Sequence, residues 1–145
     1  MLVKQILSMK PTGAVYTIAP TASVADAAKM LSEKRIGAII VSEDGTLPLG
    51  IISERDIVRE LGKRGAEVLA HNVADLMTRN LMTCVTGDDA RDVLERMTEG
   101  RFRHMPVIDA SGHMIGLVSI GDAVSARLKE LRAERDALTG MIMGN

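Results

Sequence analysis

The sequence predicts an α+β fold made of two pseudo-symmetric β-α-β-β-α units, and three observations carry that prediction. The chain repeats itself: residues 15–58 lie over 81–124 at a constant offset of 66, without a gap. Nine of the 44 aligned pairs are identical: Thr17/Thr83, Asp26/Asp92, Glu33/Glu99, Arg35/Arg101, Val41/Val107, Gly50/Gly116, Ser53/Ser119, Asp56/Asp122 and Val58/Val124. Within each copy, short apolar runs of strand type alternate with segments whose apolar residues recur at helical spacing. No Pro-rich or low-complexity stretch parts the copies, so one supersecondary unit is used twice, each copy lending the other a surface to bury.

In the first copy Val15–Ile18 is the opening strand. Thr21, Ala22 and Ser23 mark a helix start, after which Val24, Ala27, Ala28 and Leu31 share one face. Gly37 closes that helix, and Ala38–Val41 is a continuous apolar run of buried-strand type. Glu43-Asp44-Gly45 is a turn signal, Leu49–Ile52 the next strand and Arg55–Leu61 the next helix. The second copy repeats the order. Met82–Val85 is its first strand, followed by a helix with Val93, Leu94 and Met97 inward, then Met105–Ile108, a turn at Ala110-Ser111-Gly112, Ile115–Val118 and a helix from Asp122.

This divides the chain into a first repeat over 3–62, a linker over 63–72, a second repeat over 73–128 and a C-terminal extension over 129–145. The section Gly62-Lys63-Arg64-Gly65 is expected to be exposed linker. Val73, Leu76 and Met77 read as a short lead-in helix that begins the second unit, matching the spacing of Val3, Ile6 and Leu7 before the first. The last helix runs to about Leu138, with Gly140 placed to cap it. Its stripe of Val124, Leu128, Leu131 and Leu138 suits core packing or, since it continues past the repeat, a contact with a second copy.

Composition narrows the function. At 145 residues and 46% hydrophobic, the chain can bury a core. A net charge of −1 argues against nucleic acid, whose phosphates need a basic stripe, and Tyr16 and Phe102 are too few aromatics for base stacking. Cys84 is alone, which excludes an internal disulfide and a cysteine-zinc cluster and fits a reducing cytoplasm. The opening residues lack the apolar stretch of a signal peptide, and no later run is long enough for a bilayer.

Two segments carry candidate chemistry: Gly50-Ile-Ile-Ser53-Glu-Arg-Asp56 and Gly116-Leu-Val-Ser119-Ile-Gly-Asp122. Each sets Ser-x-x-Asp where a buried strand gives way to a helix. A helix start offers unpaired amides and partial positive charge to a phosphate, the serine hydroxyl adds a hydrogen bond, and the aspartate can accept from both hydroxyls of a ribose. Ser-x-x-Asp is equally a capping-box pattern, with both side chains used on the backbone. Its recurrence in register favours a ligand. Asp26 and Asp92 also recur, three residues after Ser23 and Asp89, and read as structural. Arg101-Phe-Arg103-His104-Met105-Pro106-Val107 is the other informative stretch, because a proline leading a buried strand removes a donor and frees a neighbouring backbone group. An adenine could meet backbone there beside Met105, with Arg103 or His104 reaching a phosphate. The first copy has Gly37 and Ala38 in place of the Arg-His pair and no proline, so the second site is the richer. Glu54 and Arg55 read either as a surface pair or, with Arg55 in the first helical turn, as a group directed into a shared cleft. No dinucleotide or Walker-type glycine loop and no nucleophile with an activating base is present.

Together these segments resemble a tandem pair of cystathionine-β-synthase (CBS) domains, a Bateman module, over roughly residues 3–128. The resemblance implies that the repeats pack through their sheets and form two clefts for adenosine compounds: AMP or NAD(H) foremost, and ATP, ADP or S-adenosylmethionine. By that likeness Asp122 holds the ribose and Ser119 the phosphate. Arg103, His104, Met105 and Pro106 line base and phosphate, and Thr83 to Val85 add backbone contacts beside Ile120. Ser53 and Asp56 match in the first cleft, and Arg55, Thr17 and Ala38 are further expected ligand contacts. It also implies a small stand-alone bacterial form that assembles as a homodimer and regulates a partner protein. The function expected is a non-catalytic regulatory sensor with no metal; the alternative is a structural or dimerisation module with no physiological ligand.

Overall fold

The computed structural model describes residues 1–10 and 15–144. Helix α1 (Val3–Met9) leads into β1 (Thr17–Ile18), α2 (Val24–Lys34), β2 (Ala38–Val41), β3 (Gly50–Ser53) and α3 (Glu54–Arg64). A 3₁₀ turn (Ala66–Ala70) and α4 (Val73–Leu76) follow, then α5 (Ala90–Gly100), β4 (His104–Ile108), β5 (Met114–Ser119) and α6 (Ile120–Ile142). The first sheet has the order β1-β2-β3, with β1 parallel and β3 antiparallel to β2; β4 and β5 form a separate antiparallel pair.

The local chemistry repeats with the sequence. Ser23 caps α2 by accepting a hydrogen bond from the Asp26 amide at 3.0 Å, and Asp89 caps α5 by accepting from the Arg91 amide at 2.8 Å. Neither α2 nor α5 takes a glycine as its left-handed cap. Arg35 (φ 53°) and Arg101 (φ 58°) adopt the left-handed conformation, and the next residue, Ile36 or Phe102, donates back to Leu31 or Met97. Helix α2 therefore closes two residues before Gly37, and the identity of Arg35 and Arg101 marks the matching bend.

The expected linker is structured. Gly62, Lys63 and Arg64 form the last turn of α3, and Val68 in the 3₁₀ turn is fully buried in the first core. Helix α6 continues through Gly140 to Ile142, and the left-handed glycine beyond it is Gly144 (φ 77°). A glycine stops a helix only where the backbone takes that conformation, which Gly140 does not.

The two lead-in helices are exchanged. Val3 and Ile6 of α1 pack in the second core with Cys84, Val93, Met97, Met105 and Val118. Val73 and Leu76 of α4 pack in the first core with Val24, Leu31, Ile39 and Ile52. Matching main-chain bonds hold each in place: Val3 donates to Asp88 and Lys4 to Thr86, while Val73 donates to Ala22 and Ala74 to Pro20. Sequence order suggests that α4 opens the second unit, but its apolar face completes the first.

One strand expected from the repeat is missing. Met82–Val85 is reduced to a single parallel bridge between Cys84 and Val107. In the first copy Ile40 donates to Tyr16 and Ser42 to Ile18; in the second Ile108 donates to Cys84, but the position matching Ile40 is Pro106, which has no N–H to offer Met82. The ladder stops at that residue.

The glycine that starts β3 and its counterpart in β5 face different neighbours. A Cβ on Gly50 would meet Met77 Sδ at 2.7 Å and the Thr78 carbonyl at 2.8 Å; one on Gly116 would meet only the Leu7 side-chain tip, at 2.7 Å. A main-chain oxygen paired in a ladder cannot move aside, whereas a leucine tip can. Gly50→Ala is expected to destabilise by about 1–3 kcal/mol and Gly116→Ala by clearly less in urea unfolding; the reverse order would contradict this packing.

Candidate functional site

A cavity of about 290 Å³ opens where the two repeats meet. The first repeat supplies Val15 and Tyr16 before β1 and Ile36, Gly37 and Ala38 before and at the start of β2. The second supplies His104 at the start of β4 and Ile115, Gly116, Leu117 and Ser119 along β5. Leu7 and Lys10, from α1 and the residue after it, close one side. The walls are apolar apart from Lys10, His104, the Ser119 hydroxyl and the Tyr16 phenol, an arrangement usual for small-molecule sites.

The two Ser-x-x-Asp motifs both close capping boxes. The Ser119 amide donates to Asp122 Oδ2 at 2.9 Å and the Asp122 amide donates to Ser119 Oγ at 3.1 Å. The Ser53 amide donates to Asp56 Oδ2 at 2.9 Å and the Asp56 amide to Ser53 Oγ at 3.3 Å. The carboxylates thus do turn back on their own helices. Beyond that the motifs part. Ser53 Oγ also donates to Asp56 Oδ2, and Arg59 donates to Asp56 Oδ1 at 2.8 Å, so this buried acid has both oxygens engaged. Asp122 is only half-buried, its Oδ1 has no partner among the described residues, and the Ser119 hydroxyl has a hydrogen to give.

The helix start itself offers less than the sequence suggests. Ile120 donates to the Arg103 carbonyl, as Glu54 does to that of Gly37, so of the first amides of α6 only that of Gly121 has no partner among the described residues. Positive charge comes instead from Lys10, whose Nζ donates to the Leu117 carbonyl at 2.7 Å and lies 3.0 Å from Asp122 Oδ2. Burial works against an ionised Asp122, but the Ser119 amide and then the Lys10 ammonium hold its carboxyl below the ordinary range. Burial, and after it the Lys10 charge, push the His104 imidazole below its ordinary value, which favours the neutral ring at pH 7.

The matching surface of the other half is filled by the chain itself. Ile51 and Thr78 exchange main-chain hydrogen bonds at 3.0 and 2.9 Å along the outer edge of β3. At the equivalent place in β5, Leu117 is met by the Lys10 side chain.

Of the residues expected at a site, Ser119, His104 and Ala38 share the cavity wall, and Asp122 stands behind Ser119 and Lys10. The cavity therefore joins Ser119 to Ala38 across the repeats, not to Thr83 and Val85. Those two have other employment: the Thr83 carbonyl accepts from Arg96, and the Val85 amide donates to Asp88. Met105 is fully buried in the second core, and Pro106 is buried where its carbonyl accepts from Cys84. Ile120 packs partly against that core. Arg103 is exposed beside the cavity, not in its wall. Thr17 lies beside the Gly45 turn. Ser53 and Asp56 close their own box, and Arg55 lies outside on α3 in a shallow hollow with Glu54, Val58 and Arg59. Lys10, Tyr16, Ile36 and Gly37 line the cavity without having been expected to contact a ligand. The repeat signals the last two, since they match Phe102 and Arg103, but nothing local in the sequence signals Lys10. Cys84 is a buried core thiol raised to about 11 by burial, and no group of ligating side chains suited to a metal occurs among the described residues. No helix of the described residues is long and apolar enough to cross a membrane.

The comparisons with known proteins agree with this architecture. The CBS domain model matches twice, over residues 3–63 and 73–129. The chain is 38% identical to the CBS-domain protein ATU1752 of Agrobacterium tumefaciens, whose crystal structure superposes with a TM-score of 0.82 over 88% of this chain and 99% of that one. A crystal structure of CBSX2 in complex with AMP matches at 30% identity and a TM-score of 0.72, over 88% of this chain and 96% of that one. The mitochondrial CBS domain-containing protein CBSX3 of Arabidopsis thaliana is 37% identical over 126 residues, which is 84% of this chain but 61% of the longer relative. With two CBS matches in tandem and two interleaved cores of one repeated design, the chain belongs to the CBS domain family.

Proposed function

We propose that the chain is a non-catalytic regulatory module that binds an adenosine mononucleotide in the cavity between its repeats and signals its presence to a partner protein in the cytoplasm. The observation that carries this reading is Asp122 Oδ1, without a partner among the described residues, next to the Ser119 hydroxyl that lines the apolar cavity. A carboxylate oxygen with both lone pairs available can accept from the two hydroxyls of a ribose. An adenine fits between Tyr16, Ile36 and Ala38. The cavity of about 290 Å³ lies at the low end for ligand sites, which run from about 300 to 1,000 Å³; that favours AMP over NAD(H). The AMP complex of CBSX2 supports the same chemistry. Thr78, Arg59 and the doubly engaged Asp56 favour one site per chain.

The closed capping boxes support a second reading, in which both motifs only stabilise helices and the module is structural. Calorimetry and melting curves separate the two. At 100 times its dissociation constant a ligand stabilises by about 2.7 kcal/mol, or roughly 5–10 °C for a domain of this size. AMP is expected to give such a shift. Asp122→Ala should weaken AMP at least about tenfold and cost about 1 kcal/mol of stability through the lost cap. Asp56→Ala should cost about 1–3 kcal/mol and leave AMP affinity unchanged. If no adenosine compound moves the melting temperature, the structural reading stands.

A homodimer completes the proposal. Val124, Leu128 and Leu131 on α6 and Val58 on α3 are exposed, whereas Ala123 and Ala126 face the core. Light scattering is expected to give the mass of two chains, falling to one in Leu128→Glu; an unchanged mass in that variant would remove α6 from the contact.

A further inference from the structure

We infer that Lys10 sets the ligand class of the cavity, selecting a phosphorylated adenosine over the bare nucleoside and over the cationic S-adenosylmethionine; this rests on the reading of the cavity as an adenosine site. The capping boxes carry the argument. With the amides of Ser119, Ile120 and Asp122 already bonded, the start of α6 has one amide left for an anion, that of Gly121. The phosphate must find its positive charge elsewhere, and among the described residues Lys10 is the one cationic side chain in the cavity wall.

Its geometry suits that role. Two acceptors, the Leu117 carbonyl and Asp122 Oδ2, hold the ammonium in place, and an ammonium has three hydrogens to give. The third has no acceptor among the described residues. The side chain is 30% exposed, so it is screened only in part. A ribose held on Asp122 Oδ1 puts its 5′ substituent beside this ammonium and the Ser119 hydroxyl. A phosphate there completes the lysine's hydrogen bonding, whereas a sulfonium brings a second positive charge against it. His104 leaves the balance unchanged while neutral, and Arg103 and Glu54 flank it with opposite charges.

Calorimetric titration of AMP, adenosine and S-adenosylmethionine into the wild type, Lys10→Met, Lys10→Gln and Lys10→Arg tests this. The wild type should bind AMP at least about tenfold tighter than adenosine, as expected for one charge-assisted hydrogen bond. Lys10→Met and Lys10→Gln should lower AMP to the level of adenosine, leave adenosine within about threefold and raise S-adenosylmethionine. Lys10→Arg should keep the preference for AMP. Gln can still donate to the Leu117 carbonyl, so it serves if the Met variant fails to fold. An undiminished preference for AMP in Lys10→Gln overturns the role of Lys10 and leaves the adenosine site standing. A wild type that binds none of the three overturns both.

Discussion

The exchange of the two lead-in helices is the constraint on which the rest of the structure depends. Each repeat has a core that its own elements do not close. Val3 and Ile6 fill the second core and Val73 and Leu76 the first, all but Leu76 and Ile6 with no measurable exposure. Removing either helix would open a core from which several fully buried aliphatic groups had been withdrawn, each worth about 1.5–3 kcal/mol. The repeats are therefore not separable beads. The exchange also fixes the cavity: only because α1 crosses onto β5 and α6 does the residue that follows it, Lys10, arrive at Asp122.

Symmetry of sequence becomes asymmetry of chemistry through a few single-residue differences. Pro106 removes one N–H and with it a strand, which leaves Met82 with no partner from that position. Arg59 occupies the free oxygen of Asp56, and the alanine-rich counterpart in α6 has no such group to place on Asp122. Thr78 pairs with Ile51 through its main chain, and the Lys10 side chain reaches the carbonyl of the matching Leu117. Every one of these differences works in the same sense. One half closes on itself, and the other leaves Asp122 Oδ1 without a partner among the described residues, behind Ser119 and Lys10 in the cavity wall.

Much of the fold was legible because the repeat supplied two readings of each element. Strands β2, β3, β4 and β5 and helices α2, α3 and α5 follow from apolar runs and helical spacing, and Ser23 caps where its position says it should. What the pattern could not give was pairing between distant segments. A lead-in helix at Val73 looks the same whether it packs forward or backward, since only the tertiary fold decides which core has a gap. The site shows the same division. Ser119, His104 and Ala38, named from motif and register, all line the one cavity. Thr83 and Val85 were assigned to the nearer sequence neighbour, yet the cavity takes its second wall from the other repeat. Lys10 escaped notice because a lone lysine after a short helix has no local signature; its role comes wholly from the exchange.

A closed capping box does not by itself use up Asp122. A carboxylate has room for about four hydrogen bonds, and Oδ2 receives the Ser119 amide and the Lys10 ammonium while Oδ1 has no partner among the described residues. The box fixes the orientation of the acid before any ligand arrives, which lowers the ordering cost of binding. The same acid is tied to stability through pH. Its depressed folded pKa contributes stability above the ordinary carboxylate value, and that is lost as pH falls through the lower folded one; His104, also lowered, loses stability as pH falls below the ordinary imidazole value. Acid therefore weakens the site from both groups at once. Because Asp122 closes the first turn of α6, anything gripping its free oxygen acts on the end of a 23-residue helix whose outer stripe is exposed. A ligand shifts an equilibrium only by its unequal affinity for two arrangements, and a rigid helix anchored at the cavity is the element through which such a difference would reach that stripe.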